Sequence, residues 1–394
     1  MENNTQSRQE NRLMACTLFA FFVSGSATAP MGNLIPFLRE TYHLSYDFSG
    51  MLLSLQSAGN LASIFIAGFL PALIGRRKTV LTTAIWMAVA YAIITFGLGG
   101  SVLLPLACLM VGVARGGNTN FSNTMMSTLP GKKSAIGYNL LHGAFAVGAL
   151  LTPLILIVCT RNNSAGWRIL TAAVLGLCFF QLLVYGKMRM PAENITKGGK
   201  KSVDRSFLKN KDFWLSAAIL FFYISAEYAI VGWLVTYFQD IGVLSDNVSQ
   251  LMTSLLWVVI FTGRMIGAAL VGKVSRKIIL LVDGIGLFAC FLFVFFSRSQ
   301  LPIILGIMGV GLFMATIYTS AMAIGTEKMR GNDLGVSQMI FIGSIGGVIT
   351  PYIVGLVAEH AGIEAGMGVV VLTTLLLLAA ILFTVFSKSK EAEA

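Results

Sequence analysis

Twelve long apolar stretches, separated by short polar loops, occupy most of this 394-residue chain. One of them, Ala365 to Phe386, passes twenty-two residues without a charged side chain. A helix needs about 20 apolar residues to cross the hydrocarbon core of a bilayer, so stretches of this kind leave few folds open. We read spans over residues 13–38, 48–74, 79–99, 101–127, 134–159, 167–187, 213–239, 248–272, 278–297, 300–325, 333–358 and 366–386. Strands of a membrane β-barrel would alternate apolar and polar residues, and the run Leu372 to Leu382 shows no such alternation. Only 11% of the residues are charged and 56% are hydrophobic, whereas a soluble domain carries about 25% charged residues. A water-soluble fold could not hide that much apolar surface, so lipid is the expected solvent. The expected fold class is an all-α membrane protein with twelve transmembrane helices in two pseudo-symmetric six-helix bundles.

The loops explain the net charge of +11. On this map one set of loops and both tails hold 22 of the 28 Lys and Arg residues, including Arg76, Arg77, Lys78, Lys132, Lys133, Arg276, Lys277, Lys328, Arg330, Lys388 and Lys390. The opposite set holds four: Arg39, Arg161, Arg168 and Arg298. Two more, Arg115 and Arg264, fall inside spans. Basic loops stay on the cytoplasmic side, so both termini and the central loop are expected there, in a bacterial-type inner membrane. No soluble domain presents the basic residues to nucleic acid. Residues Met1 to Arg12 are polar and lack a small-residue cleavage site, so they are expected to be a tail before a retained first helix. The longest polar stretch divides the chain nearly in half. It predicts a bundle over 1–187, a basic cytoplasmic linker over 188–212 and a second bundle over 213–394.

The two halves repeat. Gly68-Phe-Leu-Pro-Ala-Leu-Ile-Gly75-Arg76-Arg77-Lys78 follows the second span of the first half. Gly267-Ala-Ala-Leu-Val-Gly-Lys-Val-Ser-Arg276-Lys277 stands about 200 residues later. In the fifth spans, Gly143, Gly148 and Pro153 correspond to Gly343, Gly346 or Gly347, and Pro351. Small residues let helices approach closely and a proline bends a span. A duplicated bundle with a midplane site between its halves is the arrangement of transporters that rock one half against the other.

The segment Gly68 to Lys78 resembles the signature loop of the major facilitator superfamily in Gly68, Leu70, Gly75, Arg76 and Arg77, with Ala72 at the family's acidic position. A narrower likeness is to the fucose/glucose–proton symporter branch. It rests on Tyr223-Ile-Ser-Ala-Glu227-Tyr-Ala-Ile-Val-Gly-Trp233-Leu-Val-Thr-Tyr237, Asn139-Leu-Leu-His142-Gly-Ala-Phe, Gly263-Arg264 and Ile317-Tyr318-Thr319. The Pro-Glu-Ser-Pro-Arg string of the larger sugar-porter family and the Gly-Pro of the exporters' fifth span are absent. Members of the sugar–proton branch often place an acid in span 1 or span 4; here span 1 has none and span 4 has Arg115. The resemblance implies a monomeric secondary transporter of a small polar solute, with a proton as coupling ion and alternating access.

Charge at membrane depth costs at least about 2.5–3.5 kcal/mol on insertion scales, so each instance is a candidate for function. The four are Arg115, Glu227, Arg264 and Asp283. Glu227 falls near the middle of span 7 with Tyr223 one turn away, suited to holding a proton or a substrate hydroxyl; a structural pair with Arg115 is the alternative. Arg264 and Asp283 fall at similar depths on consecutive spans and are expected to form a structural or gating ion pair, with Arg76, Arg77 and Arg276 at cytoplasmic gates. Gln56, Asn60, Asn118, Asn120, Asn139, His142 and Gln338 are expected to offer hydrogen bonds to a solute, and Tyr223, Trp233 and Tyr318 to wall its cavity. Arg115 would instead anchor an organic anion or a drug if the substrate is charged. There is no phosphate-binding Gly-x4-Gly-Lys-Ser/Thr loop and no Cys/His metal spacing, so no cofactor, metal or catalytic cluster is expected. The five cysteines are scattered as small packing residues.

Overall fold

The computed structural model describes residues 2–187, 206–270, 273–328 and 333–387. Among them every regular element is helical. The chain divides into two units, residues 1–197 and 198–394. The first holds α1 (Glu2–Thr28), α2 (Met31–Tyr42), α3 (Tyr46–Ile74), α4 (Arg76–Phe96), α5 (Leu104–Ser127), α6 (Gly131–Thr160) and α7 (Trp167–Lys187). The second holds α8 (Lys211–Asp240), α9 (Asp246–Leu270), α10 (Arg276–Phe296), α11 (Gln300–Met314), α12 (Ile317–Lys328) and α13 (Asp333–Phe386).

Among the described residues nine helices are long and apolar enough to cross a membrane, or ten with α1 and α2 taken as one bent span. The ten become twelve for two reasons. The 54-residue α13 is broken at Gly362 and would be about 81 Å long if straight, more than twice what a span requires. The 29-residue α3 is also long enough. The outer surfaces agree with this reading: Phe96, Phe179, Phe180, Leu183, Phe293, Phe383 and Phe386 all stand exposed, where only lipid makes apolar exposure favourable.

Several elements differ from the sequence-based map. The residues before Arg12 are helical rather than a separate tail, since α1 begins at Glu2. The first span is two helices meeting at 41°, because a proline at position 30 disfavours helical backbone at Ala29. The tenth span is interrupted at Ala315 and Thr316 between α11 and α12. The expected linker lies outside the described residues up to position 205, and α8 begins at Lys211 inside its remainder. Lys388, Lys390 and Arg330 also lie outside the described residues.

Two turns need glycine. Gly75 joins α3 to α4 at φ 81°, ψ 150°, and Gly362 breaks α13 at φ 85°, ψ 161°. A Cβ is excluded from both conformations by clash with the backbone. The first of these is the glycine of the Gly75-Arg76-Arg77 loop, so its presence there is a backbone requirement.

The core of each unit is set by helices that touch backbone to backbone. A Cβ on Gly148 of α6 would lie 2.4 Å from the carbonyl oxygen of Phe22 on α1, and one on Gly346 of α13 would lie 2.4 Å from that of Phe221 on α8. The same two glycines also face Ser26 and Ser225. Phe22 and Phe221, like Ser26 and Ser225, are 199 residues apart; Gly148 and Gly346, like Thr152 and Thr350 and Pro153 and Pro351, are 198 apart. The internal repeat is therefore a repeat of one close helix crossing, made once in each unit.

Candidate functional site

Two groups of polar side chains lie within the helices, one in each unit. In the second unit, Glu227 stands at the middle of α8, sixteen residues after Lys211 and thirteen before Asp240. That puts it about 24 Å and 20 Å from the two ends. It is half-buried. Tyr223, one turn earlier and 1% exposed, hydrogen-bonds its carboxylate through the phenol hydroxyl, and Arg264 and Tyr318 are within electrostatic range of that phenol. The Tyr223 and Tyr318 rings lie 6.2 Å apart, tilted by 53°. Glu227 also acts electrostatically on Tyr318. Two phenols, from α8 and α12, thus lie around one carboxylate and can donate to it or to a solute hydroxyl, with the guanidinium of Arg264 on α9 in electrostatic range of the first.

The expected partnership of Arg264 with Asp283 is not formed. Arg264 is exposed and acts electrostatically on the Tyr223 phenol, whereas Asp283 is buried on α10 and accepts a hydrogen bond from Thr316 Oγ1. The two residues sit at similar depth, as their sequence positions require, but on helix faces that point to different neighbours; depth follows from residue number, facing from packing.

In the first unit the expected hydrogen-bonding residues divide by what their groups already hold. Asn118 on α5 is 5% exposed, donates to the carbonyl of Ala20 on α1 at 2.9 Å and accepts from the Tyr185 hydroxyl of α7 at 3.0 Å. Its amide ties three helices together. Asn120 donates to the carbonyl of Gly116 one turn back, at 3.1 Å. Gln56 on α3 is buried; its Nε2 donates to the carbonyl of Thr28 at 3.0 Å, while its Oε1 is without a hydrogen-bond partner. Tyr91 donates to the neighbouring carbonyl of Ala27 at 2.5 Å. These are last-turn carbonyls of α1, which the break after Thr28 deprives of helical partners, so Gln56 and Tyr91 hold the α1–α2 break in place. Asn60 is half-buried on α3, and the side chain of Asn139 lies outside the described residues.

Arg115 is half-buried on α5, with its guanidinium carbon 5.5 Å from the Phe145 ring centre on α6, a cation–π distance. His142 is exposed on α6, edge-on to Phe21 at 5.9 Å. In the second unit Gln338 is half-buried on α13. Trp233, expected as a cavity wall, is fully buried, and its indole N–H donates to the carbonyl of Pro351 at 3.0 Å. It braces α8 against the proline of α13.

The expected gate residues sit at the basic ends of their own units. Arg77 donates from Nη2 to the carbonyl of Gly186 in the last turn of α7, where helix carbonyls lack partners and carry partial negative charge. Arg76 is half-buried beside it and Arg276 is exposed at the start of α10. Nearby, Lys133 pairs with Glu10 at 2.7 Å, tying α6 to α1. Among the described residues no group of three or more His, Cys, Asp or Glu side chains could hold a metal ion.

The family model of the Major Facilitator Superfamily matches residues 16–343. The chain belongs to the major facilitator superfamily. It is accordingly a multi-pass membrane transporter and not an enzyme. Among curated proteins it is similar to the TsgA homolog of Edwardsiella ictaluri, at 21% identity over 367 residues covering 90% of each chain. Among solved structures it is similar to a D-xylose-proton symporter, with a TM-score of 0.79 at 14% identity over 95% of this chain and 96% of that one. It is similar as well to the Escherichia coli fucose:proton symporter, with a TM-score of 0.61 at 15% identity over 95% and 98%. These structural likenesses establish the superfamily's fold for this chain.

The sequence alone did not single out Tyr91, Tyr185 or Thr316, which complete the buried hydrogen bonds. Tyrosine and threonine are common in apolar spans, and nothing in their spacing separates a bracing hydroxyl from one that merely satisfies its own helix, as Thr17 does on Leu13.

Proposed function

We propose that this superfamily member is a secondary active transporter that carries a small polyhydroxylated solute, a sugar or a close relative, by proton symport through alternating access. The reading rests on Glu227: a half-buried carboxylate at the middle of α8, hydrogen-bonded by Tyr223 and flanked by Tyr318. A carboxylate there can take up a proton when its phenol partners turn to a solute, and release it when they return. The solutes of the similar symporters, xylose and fucose with protons, agree in class. The excess of basic residues on one set of loops favours both termini in the cytoplasm of a bacterial inner membrane. We take the working unit to be a monomer.

The test begins with a thermal-shift screen of the purified protein against sugars, organic acids and drugs, since a ligand of the folded state raises its apparent stability. The best sugar is then followed in reconstituted vesicles. Wild-type protein accumulates it when a proton gradient is imposed. Glu227→Gln keeps solute exchange but loses uphill uptake. Accumulation in Glu227→Gln equal to wild type removes the proton role. A screen in which only organic anions bind, with binding abolished by Arg115→Gln, supports the second reading, in which the half-buried Arg115 over Phe145 anchors an anion.

A further inference from the structure

The break between α11 and α12 is seated more tightly than its sequence suggests. Ala315 and Thr316 interrupt the helix. The carbonyl of Thr316 starts α12 by accepting from the amide of Ser320 at 2.9 Å and the hydroxyl of Thr319 at 3.0 Å. On one side, α9 brings up two glycines a turn apart. A Cβ on Gly263 would meet the Ala315 Cβ at 2.6 Å, and one on Gly267 would meet the Thr316 Cγ2 at 2.2 Å. On the other side, Thr316 Oγ1 bonds Asp283 Oδ2 of α10.

Asp283 is 8% exposed and stands seven residues into α10, about 10 Å from its basic end. Thr316 is the one side chain that bonds it or acts on it electrostatically among the described residues. Of the helices packed on α10, α11 has no ionisable side chain. α12 carries Tyr318, Glu327 and Lys328, and α13 carries Asp333, Tyr352, Glu359, His360 and Glu364. The side chains of Glu327, Lys328 and Asp333 lie outside the described residues, and none of the others interacts with Asp283. Arg264 of α9 acts electrostatically on Tyr223 and not on Asp283, and no ion pair among the described residues includes Asp283. Removing an ionised carboxylate from water without a cation costs several kcal/mol, and binding a proton removes that cost.

We propose that Asp283 is a second proton-binding site of this chain, separate from Glu227, and that its proton sets how firmly Thr316 holds the α11–α12 break. The ionised carboxylate accepts a charge-assisted bond from the Thr316 hydroxyl, about twice as strong as the bond to the neutral acid. Deprotonation therefore latches the break against α10, and protonation loosens it. Asp283 takes up and releases one proton; no bond to a heavy atom is made or broken. The inference does not depend on Glu227, and its test reads no transport.

Full-length protein in lipid vesicles is titrated while infrared difference spectra follow the carboxylic-acid C=O stretch. Hydrogen exchange at the amides of residues 313–319 is measured at each pH and corrected for intrinsic exchange. In wild type, and equally in Glu227→Gln, a carboxyl band titrates, and exchange at the break is about tenfold slower once the band is gone, the factor set by the stronger bond to the charged form. Asp283→Asn loses that band and exchanges fast at every pH. Thr316→Val keeps the band but also exchanges fast throughout. The proposal is overturned if Asp283→Asn retains every titrating carboxyl band, or if either variant keeps the wild-type pH dependence of exchange at the break.

Discussion

Replacing Gly112 by alanine places a methyl group where the structure already holds backbone. The added Cβ would sit 1.9 Å from the carbonyl oxygen of Gln56 and 2.8 Å from the amide nitrogen of Asn60, both on α3. Carbon and oxygen in contact stand more than about 3 Å apart, so α3 and α5 must separate by over about 1 Å at that point. No rotamer change can relieve the clash, because both obstructing atoms are main chain. The crossing cannot slip along its length either. A Cβ on Gly59 would lie 2.2 Å from the carbonyl of Leu109, and one on Gly116 1.6 Å from Ser63 Oγ, so three glycines fix the same interface. Overpacking of this kind costs about 1–3 kcal/mol and occasionally more, and a crossing blocked by backbone belongs at the upper end. At about 2–4 °C per kcal/mol for a domain of this size, the midpoint for loss of monodisperse protein on heating in detergent falls by about 6–12 °C. The control is Gly176→Ala on α7, where a Cβ meets nothing within 4 Å. There the helix gains up to about 1 kcal/mol from the exchange of glycine for alanine, and the midpoint holds or rises. Equal midpoints for the two variants would refute the claim that backbone contact at glycine sets the α3–α5 crossing.

Two further outcomes follow from the buried brackets. Asn118→Leu removes the amide's bonds to the carbonyl of Ala20 and the hydroxyl of Tyr185, each worth about 0.5–1.5 kcal/mol, and should lower the thermal midpoint; a normal midpoint combined with a weakened apparent affinity for solute would place Asn118 in the substrate pocket instead. Trp233→Phe removes the bond to the Pro351 carbonyl and part of a fully buried side chain, and should destabilise the protein by about 1–3 kcal/mol, read as a fall in the same midpoint; an unchanged midpoint would show that the indole does not brace α8 against α13.

Residue order alone was enough to read the solvent, the helical class and the number of spans. Lipid demands helices that satisfy their own backbone, and the apolar lengths are visible residue by residue. It also displayed the repeat, because the glycines and prolines that permit one helix crossing must recur wherever the crossing does, as Gly148 and Pro153 do in Gly346 and Pro351. Glu227 and Tyr223 were legible as a pair, since residues four apart on a helix share a face. Facing between helices came only with packing. Asn118 and Trp233 look in sequence like cavity residues, yet their polar atoms are taken up by Ala20, Tyr185 and Pro351 on other helices. Arg264 and Asp283 share a depth but turn to different neighbours, and Thr316 becomes a partner of Asp283 through a break in a helix that apolarity alone reads as continuous. Helical periodicity fixes which residues share a face of one helix; which helix that face meets is set by close packing across many residues, and no single span records it.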